Sequence, residues 1–213
     1  MVSEGWADFH RDLRGEMVRE ALIVDVRGNR GGHTSQLVIE KLARRVIGWD
    51  LGRWLQAGTY PQDAPRGPIV ALADEFAGSD GDIVTAAIKI LDLGPIVGAR
   101  TWGGVIGIDV PFHELADGTE ISVPRYATWL DGYGWNVENY GVDPDVEVIP
   151  TPDEHVAGTD RQLETGVRMV LEALDATPAV RAPAKSDRPS RRRPALPPRS
   201  AAQPSAAAHP SAG

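Results

Sequence analysis

Two kinds of hydrophobic pattern alternate along this chain, and glycine-rich turns separate them. Ala21-Leu22-Ile23-Val24-Asp25-Val26 is apolar but for one acid, and Ile69-Val70-Ala71-Leu72-Ala73 is apolar throughout. Runs without in-out alternation suit strands buried on both faces, as in a parallel sheet. Elsewhere the apolar positions recur every three or four residues. Residues 6–19 place Trp6, Phe9, Leu13 and Met17 on one helical face, and residues 34–46 run through Leu37, Val38, Lys41, Leu42 and Arg45. Residues 83–93 read as a helix ended by Gly94-Pro95. Residues 160–174 predict a last helix with Leu163, Val167, Val170, Leu171 and Leu174 on its inner face. Short strands are expected at 96–98, 105–110, 121–123, 126–130 and 146–148. The fold class is therefore α/β: a layered sheet with crossover helices and a β-rich second half.

Composition changes this picture at the C-terminus. Residues 176–213 hold eight of the 17 prolines, no aromatic residue, and seven Arg or Lys against the single acid Asp187. Such a segment buries too little apolar surface to offset its ordering entropy. The expected organisation is a folded unit over 1–175 and a disordered Pro/Ala/Arg-rich tail over 176–213, with Arg191-Arg192-Arg193 solvated. With a net charge of −8 over all 213 residues, the folded unit is the acidic part, which argues against nucleic acid as a partner. Cysteine is absent, which removes thiol nucleophiles and thiolate metal sites. No apolar run reaches the ~18 residues of a membrane span, and the first residues lack the pattern of a signal peptide. A cytoplasmic protein without membrane association is the simplest expectation. No metal or cofactor is expected, since His and acid spacing matches no ligand motif such as H-E-x-x-H.

Candidate chemistry centres on Glu75-Phe76-Ala77-Gly78-Ser79-Asp80-Gly81-Asp82. A serine sits between a buried strand and a helix, flanked by glycines that let backbone approach a ligand. A nucleophile elbow places its serine there, with helix amides facing a developing oxyanion. Ser79-x-x-Asp82 is equally a capping pattern, in which both side chains only satisfy first-turn amides. Gly28-Asn29-Arg30-Gly31-Gly32 follows the other strand, and the ends of neighbouring strands converge on one crevice. The amides of that turn and of Asp80 would make a two-donor oxyanion hole, or the glycines form only a tight turn.

These residues also carry a family resemblance. Asp25-Val26-Arg27-Gly28-Asn29-Arg30-Gly31-Gly32 resembles the D-x-R-x-N-x-G-G element of peptidases related to the carboxy-terminal processing proteases, and Ala77-Gly78-Ser79 resembles their nucleophile turn. The processing branch pairs its serine with a lysine, but Gly104 stands at that position here. Lys41 and Lys89 fall in helices and Lys185 in the tail, so a serine–lysine dyad is excluded. The tricorn branch is similar over roughly residues 5–175, through 35–42, 78–82, Arg100-Thr101-Trp102-Gly103-Gly104-Val105 and Glu138-Asn139-Tyr140-Gly141-Val142-Asp143-Pro144-Asp145.

The resemblance implies a fold of the crotonase/ClpP-like spiral kind and roles at matching positions. Ser79 would be the nucleophile, with the amides of Gly32 and Asp80 holding the oxyanion. Glu138 would be the acid of a charge-relay tetrad, otherwise a turn acid. Asp50 would set a basic P1 preference in a neighbouring subunit's site, otherwise cap its loop. Substrates would be peptides released by upstream proteolysis, and the protein a homo-oligomer. None of His10, His33, His113, His155 and His209 stands in the family's histidine context. The chain therefore resembles the C-terminal catalytic subdomain of a larger or truncated protease, without the propeller and PDZ-like domains. Two other readings stay open: a catalytically incomplete subdomain that binds peptides or assembles with a partner carrying the histidine, and a crotonase-like acyl-CoA enzyme.

Overall fold

The computed structural model describes residues 3–108, 113–188 and 195. In chain order these form α1 (Ser3–Glu16), β1 (Leu22–Asp25), α2 (Ser35–Leu42), β2 (Gly48–Asp50), β3 (Gly58–Tyr60), β4 (Ile69–Ala73), α3 (Asp80–Ile90), β5 (Ile96–Gly98), β6 (His113–Glu114), β7 (Glu120–Ile121), β8 (Val146–Glu147), α4 (Pro152–Ala157) and α5 (Arg161–Ala176). The main sheet has the order β1-β4-β5-β8, and every pairing is parallel. Leu22 registers with Ile69, Ala71 with Ile96 and Val97 with Val146.

The unbroken apolar run of β4 follows from its place inside this sheet. Ile69, Ala71 and Ala73 face Val38, Leu42, Val84 and Ile88 of α2 and α3, and Trp6 and Phe9 of α1 pack against the same cluster. Val70 and Leu72 face the other way, clustering with Val97 of β5 and Val170 of α5. All five β4 residues are buried. Burying each larger aliphatic side chain contributes about 1.5–3 kcal/mol, so this strand anchors both layers.

The inner face of α5 differs from the periodicity reading. Gln162, Gly166 and Val170 are buried, whereas Leu163, Val167 and Leu171 are exposed. Gly166 brings α5 against the sheet: a Cβ there would lie 3.0 Å from Leu72 Cδ2. Buried Gln162 serves hydrogen bonding, donating to the Val148 carbonyl (2.8 Å) and accepting from Arg27 (3.2 Å). A glycine and a glutamine thus occupy the seam, and an apolar stripe points outward.

The second half is less regular than expected. Over 105–108 and 126–130 the backbone forms only the isolated bridges Gly107–Tyr126 and Leu130–Gly134. The N–H groups of Val105 and Ile106 donate to the Glu138 carboxylate, which removes them from any strand ladder. The ribbons β2–β3 and β6–β7 are antiparallel. Beyond α5, Ala179 is buried, Val180 N–H donates to the Arg66 carbonyl (2.8 Å), and Arg181 pairs with Glu20 (3.0 Å). The expectation for Arg191-Arg192-Arg193 lies outside the described residues. Among the described residues no helix is long and apolar enough to cross a membrane.

Arg27 ties the end of β1 to the start of α5. Its guanidinium donates to Asp25 (2.7 and 2.9 Å), to Asp160 (2.9 Å) and to Gln162. Asp160 also caps α5 through the Leu163 N–H (2.9 Å). The hydrogen bond from Arg27 holds the Asp160 carboxyl below its ordinary range. A carboxylate with a depressed folded pKa stabilises above its unfolded pKa of about 3.9, and loses that contribution as pH falls through the folded value. Asp160→Ala is expected to cost about 1 kcal/mol at pH 7, chiefly the lost cap, since a half-exposed ion pair adds little. Urea unfolding at pH 7 and pH 3 checks this: the gap between wild type and variant should narrow at the lower pH.

Candidate active site

The carboxyl ends of β1 and β4 each open into a turn, and the two turns are bolted together. Gly78 N–H donates to the Asn29 carbonyl (2.9 Å), and Gly28 N–H donates to Asp74 Oδ1 (2.9 Å). Asn29 Oδ1 accepts from Gly31 N–H (3.2 Å), curling the glycine turn back on itself. A Cβ on Gly31 would sit 2.9 Å from Ser79 Cβ, so a larger residue there would collide with the serine side chain. Gly31 and Gly32 take φ of +113° and +142°, a conformation that L side chains rarely adopt. The sequence element D-x-R-x-N-x-G-G thereby resolves into separate tasks. Asp25 and Arg27 fix the strand end, Asn29 shapes the turn, and the glycines meet the serine.

Ser79 stands at the head of α3 with φ +54° and ψ −112°. Ordinary capping residues are extended. Thr151 of the same chain shows this, capping α4 with φ −83° and ψ 156° while Glu154 reaches back to its N–H. Ser79 shares the reciprocal acid, since its N–H donates to Asp82 Oδ2 (2.8 Å), but its backbone is strained where that of Thr151 is relaxed. Capping therefore accounts for Asp82 at that position and leaves the serine's conformation unexplained. A nucleophile elbow requires such a sharp strand-to-helix turn.

Asp80 does more than its backbone suggested. Its buried carboxylate accepts from the N–H groups of Thr34 and Ser35 (2.8 and 2.9 Å), capping α2 and fastening the chain just beyond Gly32. Among the described residues, the Gly32 and Asp80 N–H groups donate to no other protein atom. Glu138 is half-buried. Its Oε2 accepts from Val105 N–H (2.7 Å) and Ile106 N–H (2.9 Å), and it lines a hollow of about 300 Å³ with Ile106, Ala127, Thr128, Trp135 and Asn139. No described bond joins Glu138 to Ser79. Asp50 is the exposed last residue of β2, and no described hydrogen bond or ion pair involves its carboxylate.

The described histidines lie away from the serine's hydrogen bonds. His10 packs beside Trp6 with centroids 5.9 Å apart, and His33 and His155 are exposed. The side chain of His113 and all of His209 lie outside the described residues. Trp102 fills the region where Gly78 and Gly104 lack side chains: Cβ atoms there would lie 2.5 and 2.6 Å from its ring. A lysine at position 104 would begin inside that indole, a second obstacle to a serine–lysine pair. Periodicity and motif reading passed over Asn29, Asp74 and Asp82 as site-shaping residues. An acid directly after a strand, or one turn beyond a candidate nucleophile, was the available signal.

A parallel sheet carrying a strained serine at a strand–helix junction, faced by a glycine turn from the adjacent strand, defines an α/β protein with its serine placed as in a nucleophile elbow. The chain belongs to peptidase family S41, whose profile its residues 1–148 match. It is 65% identical over 179 residues to tricorn protease homolog 1 of Streptomyces coelicolor, covering 84% of this chain and 17% of that protein. It is 45% identical over 170 residues to the tricorn protease of Thermoplasma acidophilum, covering 80% of this chain and 16% of that one. The crystal structure of the tricorn protease superposes with a TM-score of 0.76 at 45% identity, over 80% of this chain and 17% of that chain. The chain thus spans less than a fifth of the length of these relatives.

Proposed function

We propose that this chain carries the nucleophile of a tricorn-type serine peptidase and hydrolyses peptides through an acyl-enzyme on Ser79. The observation that carries the reading is the strained backbone of Ser79 at the head of α3, packed against the Gly31 turn. In this reading the amides of Gly32 and Asp80 hold the oxyanion, and both have hydrogen-bonding capacity to spare. Glu138 serves as the relay acid. Two backbone amides fix its Oε2, while Oε1 accepts from no described group and remains for an imidazole. Such an acid orients the histidine and stabilises the imidazolium formed as the serine proton leaves.

The base is a histidine carried outside the described residues, on another part of the protein or on a partner. That source makes the second reading, a subdomain active only after assembly, a direct consequence of the first. The substrates are peptides, the working form is a homo-oligomer, and its compartment is the cytoplasm. Asp50 fits a role in a neighbouring copy's S1 pocket, because its carboxylate is exposed and unengaged among the described residues.

A carboxylate in a partly desolvated pocket favours a cationic side chain through a charge-assisted bond. In the assembled enzyme, Asp50→Asn is expected to lower kcat/KM for arginyl substrates at least tenfold more than for leucyl ones. Paired assays on the two substrates decide it. Equal losses would confine Asp50 to supporting its ribbon.

A further inference from the structure

Asp82 is fully buried, and all its acceptor sites are used. Oδ2 accepts from Ser79 N–H (2.8 Å) and Gly104 N–H (3.1 Å); Oδ1 accepts from the Thr101 hydroxyl (2.5 Å) and Gly103 N–H (2.8 Å). An ionised carboxylate offers about four lone-pair positions, so its capacity is exhausted. A helix cap needs only the first of these bonds. The other three come from a strap over residues 101–104, distant in sequence from the elbow. That strap is laced to the remainder of the site. Trp102 N–H donates to the Ala77 carbonyl (2.9 Å), Asn139 N–H donates to the Gly103 carbonyl (2.7 Å), and Glu138 takes the next two amides along the strap.

We infer that Asp82 is a positioning residue for the peptidase reaction: its carboxylate holds Ser79 in the strained elbow and joins that elbow to the strap whose next two amides hold Glu138. The inference rests on the reading of Ser79 as nucleophile, and deepens it. Strain persists only where the surroundings over-determine it. Here the serine's own N–H is held by a carboxylate that three further donors fix in place. Asparagine has nearly the same shape, but it would turn an NH₂ group toward either Ser79 and Gly104 or Thr101 and Gly103. Each side presents at least one backbone N–H, which can only donate, so at least one bond must break.

The test reads the strain itself and requires no turnover. Glycine adopts positive φ without penalty, so Ser79→Gly should raise the Tm of the chain by roughly 2–4 °C. At a relaxed cap the same change is slightly destabilising. In an Asp82→Asn background the elbow relaxes, and Ser79→Gly should give no gain or a small loss. A residue that merely supports the fold would lower the Tm and leave the glycine gain unchanged. An equal gain in both backgrounds, or none in the wild type, overturns the inference.

Amide exchange in the wild-type chain gives a second reading that does not require the Asp82 variant to fold. The Ser79, Gly103 and Gly104 amides should be protected together and open together. Rapid exchange at Ser79 beside protected Gly103 and Gly104 overturns the inference. Failure of the nucleophile reading is seen separately, as a Ser79 that stays unlabelled by a fluorophosphonate in the fully assembled protein.

Discussion

Ser79→Ala is expected to remove at least ~10⁴-fold of peptide turnover in the assembled enzyme while the fold survives. The asymmetry follows from what the side chain does. Acyl transfer needs the hydroxyl, and it is the Ser79 side chain that meets the Gly31 turn. The fold needs little from it, because losing a capping serine costs about 1 kcal/mol, and the reciprocal bond to the Asp82 carboxylate is donated by the serine's backbone N–H and survives the change. Peptide cleavage and thermal melting, measured side by side, decide the matter. Substantial residual cleavage with a large drop in Tm would return the serine to a cap.

The second large effect concerns the base. A serine hydroxyl is a poor nucleophile near neutral pH unless a base accepts its proton. Glu138 is ill suited to that role: its Oε2 is already occupied by two amides, and no described bond joins it to Ser79. Residues 1–213 alone should therefore react with a fluorophosphonate at least ~10³-fold more slowly than the same chain supplied with a segment that brings the proposed histidine. The measurement is labelling rate with and without that segment. Fast labelling of the chain alone, lost on His33→Ala, would assign the base to the exposed His33.

What the sequence made legible was whatever a local pattern can encode. The strands beginning at Leu22 and Ile69 announced themselves because β4 is buried on both faces, and the glycine turns did so because positive φ leaves few alternatives. Ser79 was visible as a serine between a strand and a helix. Its distinguishing feature, the strained φ and ψ, was not visible, because it depends on bonds to residues 101–104. Asp82 looked like half of a capping box for the same reason: three of its four partners are remote. Leu163, Val167 and Leu171 were placed inward because apolar spacing identifies a stripe without saying which stripe meets the sheet. Gly166 and Gln162 decide that, through close approach and hydrogen bonding. The expected strand at 105–110 failed over its described part because Glu138 takes the N–H groups a ladder would use.

The order of the main sheet also constrains how the molecule comes together in time. No two neighbouring strands are joined by a hairpin, since Leu22 meets Ile69, Ala71 meets Ile96 and Val97 meets Val146. Each pairing closes a loop of roughly 25–50 residues before any ladder bond rewards it, and loop closure of that kind slows folding. The bonds of Asp82 and Glu138 are equally non-local and presuppose that the strands already stand side by side. The chain should thus acquire its sheet early in the productive route and its serine elbow late. Refolding should then show tryptophan burial or strand signal before the Ser79 amide becomes protected.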